Sequence, residues 1–105
     1  SVRASLSHLR VIKNKSAIVI KRTLESADWN LLKAISEIAY NIVEGNVTLT
    51  KGDRVKLRRW SKVINRLGDQ NVSLGEKKAL LLRTRNISQF LKLMIKSVKW
   101  LKEWL

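Results

Sequence analysis

Cysteine is absent from this chain, and histidine occurs once, as His8. The lack of cysteine excludes disulfides and thiolate chemistry, and it makes a zinc site very improbable. Glycine is scarce, and no glycine-rich phosphate loop is present, because Gly52 and Gly75 are isolated. No carboxylates are spaced as a catalytic pair, and His8 is most simply a solvent-facing residue of a short helix. We therefore predict no catalytic, cofactor-binding or metal-binding residues, and a protein that is not an enzyme.

Long apolar runs are also missing. No segment approaches the roughly 20 uncharged apolar residues that a membrane-spanning helix needs. The N-terminal stretch SVRASLSHLRVIKNKS lacks the continuous apolar core of a signal peptide. These patterns predict a protein that is soluble at the outset, without a membrane-spanning helix or a signal peptide.

Positive charge dominates the 105 residues: 22 lysines and arginines oppose 8 acidic residues, for a formal net charge of +14. Such a chain should bind polyanions such as nucleic acid, or anionic lipid surfaces, and charge alone does not choose between them. Yet 45% of the residues are hydrophobic, more than a disordered basic tail would contain. We expect a single folded domain over residues 1–105.

Apolar residues spaced three and four apart predict helices along most of the chain. The clearest helix is DWNLLKAISEIAYNIVEG, with Asp28 placed as its N-cap. Gly45 and Gly68, two of only four glycines, follow such stretches and are predicted helix stops. The segments LSHLRVI and SAIVIKRTLESA also favour short helices; Ile18 to Ile20 would suit a strand, but no hairpin partner is present. One face of the clearest helix carries Leu31, Leu32, Ile35, Ile38, Ala39 and Ile42.

A short phrase occurs twice, as Asn46-Val47-Thr48-Leu49 and Asn71-Val72-Ser73-Leu74, each time before a basic segment. Thr50 (or Thr48) with Asp53, and Ser73 with Glu76, have the spacing of helix-capping boxes. The repeat therefore predicts two helix starts whose valine and leucine pack the loop against the core; a duplicated binding unit is the alternative.

The last segment, NISQFLKLMIKSVKWLKEWL, is strongly amphipathic. Its apolar face fits docking on the other helices, pairing with a second chain, or lying in a membrane interface near Trp100 and Trp104. We expect this face to be covered within a protein assembly, because a soluble monomer rarely exposes so much contiguous apolar surface. The predicted apolar face comprises Ile87, Phe90, Leu91, Met94, Val98, Leu101 and Leu105.

The fold class that follows is all-α, a compact bundle of about five short helices. We expect short helices in residues 1–27, a basic helical core in residues 28–85, and the amphipathic C-terminal helix in residues 86–105. We predict one continuous helix from Lys51 to Leu67, with Trp60 on its apolar face and inside the core rather than stacked on a base.

The other face of that helix is almost purely basic, which is unusual because solvated helix faces normally mix charges of both signs. Lysines and arginines after Ser73 extend this strip along the sequence. No set of side chains suits base-specific readout, so we expect contacts to phosphates. The candidate nucleic-acid-binding residues are Lys51, Arg54, Arg58, Arg59, Lys62, Arg66, Lys77, Lys78, Arg83 and Arg85.

About half of the chain, from Leu31 to Leu82, resembles the small basic proteins of adintoviruses and Polinton/Maverick elements, which have been likened to the adenovirus core protein X. The similar order is AISE in a helix, then GNV with Leu and Thr, the basic run KLRR, and VSL before lysines and leucines. Family members usually continue into a glycine-glycine step and a short hydrophobic tail, whereas here Arg83 leads into TRNISQFLKLMIKSVKWLKEWL. The resemblance implies a virion-associated role in DNA packaging or in the capsid interior.

Charge, strip and resemblance together predict non-specific binding of nucleic acid, most simply duplex DNA, by a genome-condensing or capsid-interior protein of a virus or virus-derived element. The corresponding locations would be the virion or the nucleus. The alternative is a membrane-active or self-assembling helical protein that acts through its C-terminal helix. Besides nucleic acid, the possible partners are a second copy of the chain and an anionic membrane surface.

Overall fold

The structure is a computed structural model, and it describes residues 15–26, 29–47 and 49–97. Six α-helices occur in these ranges, and no strand occurs there, so the predicted all-α class is confirmed. The first two helices are α1 (Ala17–Glu25) and α2 (Trp29–Val43). A bent pair follows, α3 (Lys51–Leu57) and α4 (Ser61–Leu67), and then α5 (Leu74–Arg83) and α6 (Ile87–Ser97).

Helix α2 lies at the centre of the bundle, because its apolar residues recur on one broad face. It packs against α4 and α5, while α1 packs against α5 and α6, and α3 packs against α6. Ile42 is only partly buried, and Ala34, which the sequence pattern did not select, is buried. The buried residues of α2 are Leu31, Leu32, Ala34, Ile35, Ile38 and Ala39.

The repeated phrase begins two helices, as predicted. The Asp53 amide donates to Thr50 Oγ1 at 3.1 Å, and the Glu76 amide donates to Ser73 Oγ at 3.2 Å. Each bond satisfies one of the backbone N–H groups that a helix start leaves without a partner. Val47 is buried beside the core, and Leu49 and Leu74 pack against it. The repeat is thus accounted for by helix initiation and loop packing.

The predicted single helix from Lys51 to Leu67 is wrong in one respect. Residues Arg58–Trp60 form a 3₁₀ turn, and Trp60, with φ −108° and ψ 20°, separates α3 from α4. A tighter 3₁₀ turn within a helix redirects the chain. Because of this turn, α3 packs on α6 while α4 packs on α2, so the basic segment contacts two different helices of the bundle.

The two predicted helix stops work by different means. Gly45, with φ +74°, ends α2 in the left-handed conformation, and the Asn46 amide donates to the Asn41 carbonyl as in a Schellman motif. Gly68 has an ordinary φ of −83°, but a Cβ built there would lie 2.9 Å from the Tyr40 backbone nitrogen. Gly68 is therefore a site of close helix approach between α4 and α2, and it does not depend on a positive φ.

The amphipathic face of α6 is covered by the rest of the chain as far as Ile95. Ile87, Phe90, Leu91, Met94 and Ile95 are each at most 1% exposed. Burying side chains of this size is worth about 1.5 to 3 kcal/mol each before entropy is counted. This part of the C-terminal helix is therefore a core element, as the docking interpretation predicted.

Several sequence-based expectations fall on residues outside the described ranges. They include His8, the helix predicted for LSHLRVI, the Asp28 cap and the alternative cap Thr48. The tail positions Val98, Trp100, Leu101, Trp104 and Leu105 also lie there.

A glycine pair tests the packing of α4 on α2. Gly68→Ala should lower the free energy of unfolding by about 1 to 3 kcal/mol, because its methyl group meets the backbone of Ala39 and Tyr40. Gly52→Ala is the matched control: nothing lies within 4 Å of its Cβ position on α3, so it should stabilise the protein by up to about 1 kcal/mol. Urea unfolding monitored by circular dichroism measures both. Equal effects of the two substitutions would contradict the close approach at Gly68.

Candidate nucleic-acid interface

The basic segment becomes a surface because its apolar residues are anchored in the core. Leu57, Trp60, Ile64 and Leu67 are buried, and Val63 is half-buried. The lysines and arginines between them are thereby directed outward. Eight of the ten candidate residues are exposed: Lys51, Arg54, Arg58, Arg59, Lys62, Arg66, Arg83 and Arg85.

Four of these residues, Arg54, Arg58, Lys62 and Arg66, recur every four positions along α3, the 3₁₀ turn and α4. Arg54 and Arg58 also border a groove of about 320 Å³ with Ser61 and Asn65, over an apolar floor that includes Leu49. These four residues are named the basic strip below. Within the described residues, the one acidic side chain that pairs with the basic strip is Glu76, 4.0 Å from Arg66. Both partners are more than half exposed, so this pair is weak.

The Trp60 side chain links the 3₁₀ turn to the short segment between α5 and α6. Its side chain is only 5% exposed, and its ring centroid lies 5.4 Å from that of Phe90. The indole Nε1–H donates to the Arg85 carbonyl at 3.3 Å. Trp60 is therefore a core residue, as predicted, and it fixes where the chain turns after α5.

Three arginines border a groove next to this tryptophan. The Arg59 guanidinium stacks over the Trp60 ring, with its central carbon 4.6 Å from the ring centroid. Arg83 and Arg85 border the same groove, of about 300 Å³, from the end of α5. We call this site the three-arginine groove, defined by Arg59, Arg83 and Arg85. The sequence placed these residues in one candidate set but did not show that they converge.

Lys77 does not belong to the exposed surface. Its side chain is 4% exposed, and its ammonium donates to Ser36 Oγ at 2.6 Å. The Ser36 hydroxyl in turn donates to the Leu67 carbonyl at 2.8 Å, so Lys77 joins α2, α4 and α5 from within. Burial lowers the pKa of Lys77, and the negative charge of Asp69 partly opposes that shift. A signal was present in the sequence: Lys77 is three residues after Leu74 and four before Leu81, on the inward face of α5.

Lys78 also has a structural partner. It is half-buried, and its ammonium donates to the Glu25 carbonyl at 3.0 Å, at the end of α1. A cation in this position stabilises the negative end of a helix dipole. Lys78 thus anchors α1 to α5 and is less free to contact phosphate than the exposed arginines.

Lys56 is an exposed cation that sequence reasoning missed. It lies beside Arg59 and Gln89 along a groove between α3 and α6. Lys56 was not among the predicted binding residues, and in a continuous helix it would lie on the side of Trp60 and Val63, four and seven residues later. The 3₁₀ turn breaks that phase relation, and the only available signal was membership of the run KLRR.

The described parts of the chain contain neither a candidate metal site nor a candidate membrane-spanning helix. No group of histidine, aspartate and glutamate side chains there could hold a metal ion. Among the described helices none is long and apolar enough to cross a membrane.

Comparison of the chain with protein-family models, curated proteins and solved structures found no match. The interface is therefore argued from its own geometry.

Lys77 predicts a specific pH dependence of stability. Its pKa in the folded protein lies below the ordinary value of 10.5, so between these two values the unfolded chain binds more protons than the folded one. The Lys77 contribution to the free energy of unfolding should therefore rise with pH in this window. Lys77→Met should remove the rise, so wild-type stability relative to the variant should increase as the pH rises toward the ordinary lysine pKa of 10.5.

Urea unfolding across this pH range measures the effect, with the exposed Lys62→Met as the control for loss of one positive charge. Parallel stability profiles for wild type and Lys77→Met would contradict the inferred burial of the ammonium.

Proposed function

We propose that this protein binds nucleic acid, most simply duplex DNA, without sequence specificity, by placing its basic surface against the phosphate backbone. The observation that carries the proposal is the basic strip, which spans both halves of a bent helix held in place by a buried face. Lysine and arginine contacts to phosphates release condensed counterions, and this term supplies most of non-specific binding.

Few acidic side chains oppose the basic strip: of the six that the structure describes, only Glu76 forms an ion pair with it, the exposed pair with Arg66. Asp53 and Glu76 lie in the first turns of α3 and α5, where a negative charge stabilises the helix start. Glu37 lies on α2, four residues after the exposed Lys33, and the exposed Glu44 directly follows that helix. Residues 29–44 thus mix charge signs, whereas Asp53 is the only acidic residue between Lys51 and Leu67, and this asymmetry favours one binding face for a polyanion.

Nothing in the strip favours readout of bases. Besides arginine, the groove that borders the strip offers only Ser61 and Asn65 as polar side chains, over an apolar floor, and Trp60 is too buried to stack on a base. Phosphate contacts position a protein on nucleic acid but carry no sequence information. A genome-condensing or capsid-interior role, in the virion or the nucleus, is the biological setting that we propose, on the resemblance described above.

The burial of α6 weighs against the alternative function, a membrane-active protein that acts through its C-terminal helix. It requires the apolar face of the C-terminal helix to be free, whereas Ile87, Phe90 and Met94 are buried against the other helices. A membrane could take up this face only if α6 left the core.

Salt dependence and matched variants test the proposal. Binding of duplex DNA, measured by fluorescence anisotropy, should weaken steeply with salt and be equal for unrelated sequences. The strip triple variant, Arg54→Gln, Arg58→Gln and Lys62→Gln, should bind all duplexes more weakly. It should also reduce the slope of log K against log salt by about 3, near 0.9 for each lost contact.

The control is a triple variant with the same loss of charge on other exposed positions: Lys21→Gln, Arg22→Gln and Lys33→Gln. It should change affinity and slope much less. A flat salt dependence of the wild type would refute the function, and equal effects of the two triple variants would refute the assignment of the binding face.

A further inference from the structure

We propose that the three-arginine groove is a phosphate-binding site that grips neighbouring phosphate groups, distinct in action from the basic strip. That the natural ligand is a nucleic-acid backbone rests on the proposed function; that the groove binds phosphate groups does not. The site is formed by two separate elements, with Arg59 in the 3₁₀ turn and Arg83 and Arg85 at the end of α5.

The groove is held in shape before any ligand arrives. Stacking on Trp60 restrains Arg59, and the hydrogen bond from the same indole fixes the Arg85 carbonyl. Thr84 is extended, with φ −73° and ψ 128°, so that Arg83 and Arg85 can reach the same side of the chain. Asn86, with φ +56°, then turns the backbone sharply into α6. A site whose charged groups are positioned in advance loses less entropy on binding.

The charge of the groove is uncompensated. No acidic side chain lines it, and in the described ranges none of its three arginines forms an ion pair. With three arginines bordering one small volume and no acidic residue beside them, an anion in the groove gains a favourable interaction with each. Guanidinium groups also bind phosphate oxygens through two parallel hydrogen bonds, which lysine ammonium groups do not.

The end of α5 would ordinarily disfavour an anion, since helix carbonyls carry partial negative charge there. Here two of those carbonyls are already occupied. The Thr84 hydroxyl donates to the Leu80 carbonyl at 2.7 Å, and the Thr84 amide donates to the Leu81 carbonyl at 3.1 Å. Thr84 therefore reduces the local negative potential beneath the arginines.

The size of the groove fits a compact ligand. Its volume of about 300 Å³ lies at the lower end of small-molecule sites. Its floor is Trp60, Val63 and Leu80, which offer no polar group for reading a base or sugar. The geometry thus suits a short run of phosphate groups, as an oligophosphate or as consecutive phosphates of a nucleic-acid strand.

Tripolyphosphate is the probe, titrated into full-length protein by isothermal calorimetry at constant ionic strength. The groove triple variant, Arg59→Gln, Arg83→Gln and Arg85→Gln, should lose about tenfold or more in affinity, which corresponds to about 1.4 kcal/mol. The strip triple variant has the same net charge, since each removes 3 from +14, and it should keep the wild-type affinity within about threefold. Equal losses in the two variants, or no binding by wild type, would overturn the proposal.

Arg59→Gln also removes the stack on Trp60, so a second variant guards against unfolding. Arg83→Gln with Arg85→Gln leaves that stack intact and should keep the wild-type thermal unfolding midpoint while losing most of the tripolyphosphate affinity. Retained affinity in this folded double variant would equally overturn the proposal.

Duplex DNA binding by the same variants identifies the source of the phosphate. If the groove triple variant loses affinity for both tripolyphosphate and duplex, the ligand of the groove is the nucleic-acid backbone. If it loses affinity for tripolyphosphate alone, the ligand is a free oligophosphate. Failure of wild type to bind duplex with a steep salt dependence would refute the proposed function and leave the phosphate site standing. Normal duplex binding with equal tripolyphosphate losses in both triple variants would refute the site alone.

Discussion

The burial of one indole side chain organises both the core and the basic surface of this protein. Trp60 packs on Phe90, supports the guanidinium of Arg59 and donates its N–H to the Arg85 carbonyl. A buried tryptophan must find a partner for its N–H, and here the partner is the backbone of the α5–α6 connection. The position of the 3₁₀ turn relative to α5 and α6 is therefore fixed by a packing requirement, and the convergence of three arginines follows from it.

The bend at Trp60 also decides how positive charge is distributed. A straight helix would carry its cations in one straight row. Here α3 packs on α6 and α4 packs on α2, so the cations of the two helices lie along two separately packed segments. The basic strip runs along α3, the 3₁₀ turn and α4, and the three-arginine groove lies between that turn and the end of α5. Two acidic residues in first helical turns, Asp53 and Glu76, stabilise the starts of α3 and α5 beside this surface.

The sequence predicted those features that depend on local spacing. The caps at Thr50 and Ser73, the apolar face of α2 and the core position of Trp60 each follow from residues within a few turns of one another, and all are confirmed. Features set by contacts distant in sequence were missed. The bond between Lys77 and Ser36 joins positions 41 residues apart, and the meeting of Arg59 with Arg85 depends on a 3₁₀ turn that the 3.6-residue period does not reveal.

The central claim is that a pre-formed basic face, held by the core, contacts phosphate without unfolding or refolding the bundle. Nuclear magnetic resonance titration of isotope-labelled protein with a short duplex tests this most directly, because each backbone amide reports separately. The account predicts shifts concentrated in residues 51–66 and 83–85, with Lys33 on α2 and Glu44 just after α2 nearly unchanged. Shifts centred on α2, or spread evenly over buried residues of the core, would contradict it.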